Sequence, residues 1–78
     1  MRSWKYQYNG NIIEINLTLK QVYFILNGKE LASSDLKEYI EFSFEIDTGE
    51  KITVTVSDIV DYDAKVSLLV NDELIAED

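Results

Sequence analysis

The chain has 78 residues, seven Lys or Arg against fifteen Asp or Glu, and a formal net charge of −8. That length suits one thin-cored domain and no second one, and with 46% hydrophobic and 12% aromatic residues the composition is too apolar for a disordered acidic tail. Cys and His are both absent, which excludes a disulfide framework, catalysis by thiol or imidazole, and metal sites built from N and S ligands.

The dominant period is two. Trp4, Tyr6 and Tyr8 alternate with Ser3, Lys5 and Gln7, and Asn9-Gly10 is a strong signal for a tight hairpin loop. A two-residue loop there pairs Trp4 with Ile15 and Tyr6 with Ile13. The aromatic row then shares a face with Ile13, Ile15, Leu17 and Leu19, and is expected in the core rather than exposed as a stacking platform for sugars or bases. Val22-Tyr23-Phe24-Ile25-Leu26 is apolar at every position, as suits a strand covered on both faces or placed centrally. Asn27-Gly28 turns it back into Lys29-Glu30-Leu31-Ala32, with Phe24 expected opposite Leu31 and Tyr23 opposite Ala32. Ser33 to Glu38 carries cap-type residues that suggest a single helical turn.

The clearest alternation follows. Ile40, Phe42, Phe44 and Ile46 point one way, and Glu41, Ser43, Glu45 and Asp47 the other. The partner strand places Ile52, Val54 and Val56 inward. A two-residue Thr48-Gly49 loop would set the two apolar rows on opposite faces, so an odd loop, Thr48-Gly49-Glu50, or an equivalent bulge is expected. Its register opposes Ile46 to Ile52, Phe44 to Val54, Phe42 to Val56 and Asp47 to Lys51. Asp58 to Asp63 then reads as a loop, followed by Lys65 to Val70, an Asn71-Asp72 turn and Glu73 to Ala76.

Eight short strands in four hairpins, with turn signals at near-even spacing, predict an all-β fold, either a small antiparallel sandwich or an open barrel, over residues 1–78. Val22 to Ala32 also resembles Val66 to Ala76 once Lys29 is passed over, which raises two readings: equivalent hairpins in two similar sheets, or two unrelated hairpins that share an Asn turn. No Pro occurs, and no apolar run reaches 18 residues. The chain is accordingly expected to be soluble, unexported and cytoplasmic.

Charge divides along the chain. Residues 1–39 hold five basic and four acidic side chains, residues 40–78 two and eleven. Acid–base catalysis by two carboxylates could draw on Glu41, Glu45 and Asp47, but a flat solvated strand face offers nothing to raise one carboxyl pKa, so a solvated charge row is the better reading. Calcium is the one metal that oxygen ligands alone could hold, from Asp58, Asp61 and Asp63 with Ser57, yet the spacing matches no EF-hand loop and no Gly allows the wrap. Gly10, Gly28 and Gly49 are isolated in turns, so there is no phosphate cradle. The net charge opposes direct binding to nucleic acid. No cofactor, metal or catalytic residue is expected.

At Val22 to Leu31, with Asn27-Gly28-Lys29-Glu30 at the turn and Trp4 opening the first strand, the sequence resembles the Fas apoptotic inhibitory molecule family, and a second such hairpin falls at Val66 to Leu74. The likeness covers about a third of the chain. The acidity, the Asn71-Asp72 turn without Gly and the short spacing between hairpins depart from that family. The resemblance implies a compact, non-catalytic antiparallel β-domain and, loosely, protein binding; no functional residue transfers with it.

Two functions are expected from these residues. One is a non-catalytic module that binds a protein partner or a second copy, through an apolar patch of Tyr23, Ile25 and Leu69 on the strand faces opposite Phe24 and Leu68. The other is an acidic inhibitor that mimics a polyanion and blocks the basic groove of a nucleic-acid-binding protein, through Glu41, Glu45, Asp47, Glu50, Asp58, Asp61 and Asp63.

Overall fold

A computed structural model describes residues 1–78. It is all-β, with β1 (Arg2–Tyr8), β2 (Asn11–Leu17), β3 (Gln21–Leu26), β4 (Lys29–Asp35), β5 (Tyr39–Glu45), β6 (Lys51–Val60), β7 (Asp63–Val70) and β8 (Glu73–Glu77). The strands form two antiparallel four-stranded meanders, β1-β2-β3-β4 and β5-β6-β7-β8, and neither closes into a barrel. Two separate sheets are what the sandwich alternative requires. By compactness the chain divides into Met1–Leu36 with Val60–Asp63, and Lys37–Ile59 with Ala64–Asp78.

In the first unit the two-residue Asn9-Gly10 loop gives Trp4↔Ile15 and Tyr6↔Ile13, the register its parity dictates. Trp4, Ile13, Ile15, Leu17, Val22 and Phe24 are buried, while Tyr6 and Tyr8 are half-buried. Of the aromatic row only Trp4 is core, with Tyr6 and Tyr8 half in solvent, and the Arg2 guanidinium lies 4.7 Å from the Trp4 ring centroid. β4 differs from expectation. Phe24 faces Ala32, Tyr23 faces Ser33 and Ile25 faces Glu30, because a bulge inserts Leu31 between these pairs. Ser33 to Asp35 continue β4 instead of starting a helical turn, with Gln21↔Asp35 closing the ladder.

In the second unit the β5–β6 loop is odd, as the apolar rows demand, but it is Asp47-Thr48-Gly49. Ile46 N–H donates to Glu50 O (3.0 Å), Gly49 N–H donates to Ile46 O (2.9 Å), and Gly49 takes φ +86°. Gly supplies the left-handed residue of this three-residue loop, so the register shifts by two from the expected one. Phe44 faces Ile52, Phe42 faces Val54, Ile40 faces Val56, and Glu45, not Asp47, faces Lys51. Parity is preserved, so the apolar rows still share a face; Ile40, Phe42, Ile46, Ile52, Val54, Val56, Val66, Leu68 and Val70 are buried. The expected loop from Asp58 to Asp63 shrinks to Asp61-Tyr62, because β6 runs on to Val60 and β7 starts at Asp63.

The two meanders repeat one plan. Asn27 takes φ 51° in its turn, donates its N–H to Ile12 O (2.8 Å), and accepts the Ile12 N–H at Oδ1 (2.8 Å). Asn71 takes φ 50°, donates its N–H to Lys51 O (2.8 Å), and accepts the Lys51 N–H at Oδ1 (2.9 Å). β7–β8 also carries a bulge in the matching place, with Leu68↔Ala76 and Leu69↔Leu74 flanking Ile75. The hairpins align without passing over Lys29, since Leu31 and Ile75 are both the inserted residue. Each Asn combines a tolerated left-handed backbone with a side-chain acceptor. Asn27→Ala and Asn71→Ala are each expected to cost about 2 kcal/mol in urea unfolding, from one net hydrogen bond and a strained turn residue. Asn→Gly, which keeps the turn, should cost about half as much. Losses below about 0.5 kcal/mol for Asn→Ala would show that these turns do not hold the register.

Candidate functional site: an acidic strand face and two apolar patches

Pleating sends Glu41, Ser43 and Glu45 to the exposed side of β5. Across the ladder stand Thr55, Thr53 and Lys51. Ser43 Oγ and Thr53 Oγ1 share a hydrogen bond at 3.0 Å; Ser43 is exposed and Thr53 only 5% exposed, so a hydroxyl pair, open on the β5 side, stands between the two carboxylates. Lys51 directs its Nζ to Asp72 at 3.4 Å. Glu45 and Asp47 are exposed and have no basic group within ion-pair distance.

The other predicted acidic residues are scattered. Glu50 is half-buried and accepts from Thr48 Oγ1 at 2.7 Å. Asp58 sits inside β6 with φ 53°, and Asp61 occupies the β6–β7 turn with φ 54°. Asp63 accepts from the Arg2 guanidinium. No three carboxylates come together closely enough to hold a metal ion.

Tyr39, at the start of β5, donates its hydroxyl to Glu41 Oε2 at 3.2 Å. Desolvation, then the hydrogen bond to Glu41 and its negative charge, hold this phenol above its ordinary pKa. The neutral phenol is favoured in the folded chain, so this small contribution is full below the ordinary phenol value and is lost as pH rises through the raised one. Glu41→Gln is expected to lower the pH at which Tyr39 ionises, read as a near-ultraviolet titration against Tyr39→Phe. An unchanged titration would separate Tyr39 from the carboxylate.

The apolar residues belong to both units. Tyr23 and Ile25 are half-buried on β3 of the first unit, and Leu69 is half-buried on β7 of the second. Leu69 stands directly opposite Leu74, which is 53% exposed, and the inserted Ile75 beside it is 49% exposed. In the first unit the inserted Leu31 is 45% exposed next to the Ile25↔Glu30 pair. Simple alternation sets Leu31 opposite Phe24, whereas the bulges insert Leu31 and Ile75 between ladder pairs and leave both, with the neighbouring Leu74, exposed.

The sequence also gave no sign of an open recess of about 490 Å³ at the β2–β3 turn, lined by Thr18, Leu19, Lys20, Gln21, Tyr23 and Asp35. Its floor is a turn held by Thr18, whose N–H and Oγ1 both donate to Gln21 O and whose Oγ1 accepts from the Lys20 and Gln21 N–H groups. Gln21 Nε2 reaches Asp35 Oδ1 at 3.3 Å. These bonds explain the polar lining as local turn structure. No helix is long and apolar enough to cross a membrane.

Comparison of the chain with protein families, curated proteins and solved structures found no match.

Proposed function

We propose that the chain is a non-catalytic, cytoplasmic protein-binding module whose contact centres on the bulged β7–β8 hairpin. The observation that supports this reading is the solvent-facing group of Leu69, Leu74 and Ile75. Folding does not require apolar residues there: a solvated edge position accepts Thr or Lys without loss, and apolar groups that stay half in water are stabilised only when something covers them. Exposed Asp72 and Glu73 precede the patch along the hairpin and Glu77 follows it, the polar flanks common at protein interfaces. Leu74→Ser with Ile75→Ser should cost only about 1–2 kcal/mol and leave the chain folded, because each side chain is about half exposed. The same pair should weaken binding of a partner captured by the wild-type chain at least tenfold. Equal binding by a folded double variant would remove this hairpin from the contact.

A second reading, mimicry of a polyanion, is favoured by the uncompensated Glu45, which shares β5 with Glu41, and Asp47 in the loop that follows. It predicts capture of a basic nucleic-acid-binding protein that weakens with added salt and is lost in Glu41→Lys with Glu45→Lys. Capture that survives this double reversal would reject it.

A further inference from the structure

The two sheets have four edge strands, β1, β4, β5 and β8, and these fall into two kinds. β4 and β8 are each interrupted by a bulge, and β4 carries Lys29, both devices that discourage a further strand from adding. β1 and β5 are seven-residue strands whose ladders to β2 and β6 run without a break. No bulge blunts their open sides, so the charged residues on them, Lys5 on β1 and Glu41 and Glu45 on β5, decide what can add there.

Hydrogen-bond parity shows which residues those open sides present. The two-residue loop makes Tyr8 and Asn11 a bonded pair, so Tyr8, Tyr6, Trp4 and Arg2 direct their backbone groups to β2 and Ser3, Lys5 and Gln7 direct theirs outward. Ile46 bonds Glu50 across the next hairpin, so Phe44, Phe42 and Ile40 face β6 while Tyr39, Glu41, Ser43 and Glu45 face outward. All seven outward residues are exposed.

Charge then selects among the pairings these edges allow. β1 carries Arg2 and Lys5 and no acid; β5 carries Glu41 and Glu45 and no base. Arg2 bonds Asp63 within the chain, while Lys5 keeps only a long, exposed pair to Glu14 at 3.9 Å, which leaves its ammonium able to meet a second carboxylate. Pairing β5 with its own copy about Ser43 sets Glu41 against Glu45 twice, and pairing β1 with its own copy about Lys5 sets lysine on lysine; the offset registers about Phe42 and Trp4 avoid this but bring no opposite charges together. Like charges directly opposite each other oppose pairing. Antiparallel β1 against β5 of another copy sets Lys5 opposite Glu41, Ser3 opposite Ser43 and Gln7 opposite Tyr39. The same register sets Trp4 opposite Phe42 and Tyr6 opposite Ile40, so the apolar rows also continue across the seam.

We propose that β1 of one copy adds antiparallel to β5 of a second copy, joining the first sheet of one to the second sheet of the other. The contact is heterologous, using a different surface on each copy. It uses neither Leu74 nor Ile75, so it stands or falls separately from the function proposed above.

Sedimentation equilibrium over a concentration series tests it. The wild-type chain should associate by about 1 mM, the weak end of specific binding. Lys5→Glu and Glu41→Lys should each weaken association at least tenfold while leaving the strand signal in circular dichroism unchanged. An equimolar mixture of the two variants should associate like wild type, because the reversed charges then face each other at one seam and the native pair forms at the other. The chain carrying both reversals should do the same. A wild-type monomer throughout the series, association that neither reversal weakens, or a mixture no stronger than either variant alone would each overturn the proposal.

Discussion

Register is the constraint on which this fold depends, and in a meander it is set almost wholly by the turns. A strand that slips by one residue turns every buried side chain into an exposed one. Here the apolar rows Ile13, Ile15, Leu17 and Ile52, Val54, Val56 are fully buried, so such a slip in β2 or β6 would expose most of a core. A domain of this size has a stability margin of only about 5–15 kcal/mol, against about 1.5–3 kcal/mol for each large apolar side chain buried. Asn27 and Asn71 guard against the slip. Each bonds the residue opposite twice, through its own N–H and through its side chain.

The bulges at Leu31 and Ile75 are the second device the two meanders share. An inserted residue increases local twist and leaves the strand beyond it offset from its partner. That blunts the last edge of each sheet and also leaves an apolar side chain where neither face claims it. One local feature therefore suppresses indiscriminate pairing while creating a confined apolar contact. The first strand of each meander has no such interruption, so the open backbone of β1 and β5 is governed by charge alone.

Much of this was legible in the residues, and what was not has identifiable causes. Alternation located all eight strands, and parity placed Trp4 with Ile15 and demanded an odd loop before Lys51. The exact pairs failed where two solutions had the same parity: loops centred on Thr48 or on Gly49 both bring the apolar rows together, and only the left-handed φ of Gly49 distinguishes them. The bulges were hidden for a related reason. Glu30-Leu31-Ala32 and Leu74-Ile75-Ala76 read as sensible strands with or without an insertion, because Ala fits opposite Phe24 or Tyr23 equally well. At Ser33 to Asp35 hydroxyl-rich residues looked like a helix start, but an available ladder with β3 satisfies those backbone groups directly. Alternation puts Glu41 and Glu45 on the exposed side of β5, yet their neighbours across the strand depend on the register: Lys51 faces Glu45, not Asp47, and reaches Asp72.

The net charge of −8 bears on association differently once it is divided by unit. The first unit holds four basic and five acidic side chains, the second three and ten. Two copies repel at long range, and that repulsion is screened beyond about 10 Å at moderate salt. Contacts between two second units bring both acidic halves within that distance, whereas a first unit meeting a second unit brings a nearly neutral half to an acidic one. The smaller mutual repulsion thus falls on the heterologous pairing, the same one that the Lys5 and Glu41 positions favour at close range. Salt acts on these two terms in opposite directions, weakening the local pair and relieving the global repulsion. The balance sets which salt range favours the seam, and it distinguishes this contact from capture of a basic protein, where both terms are attractive and salt only weakens binding.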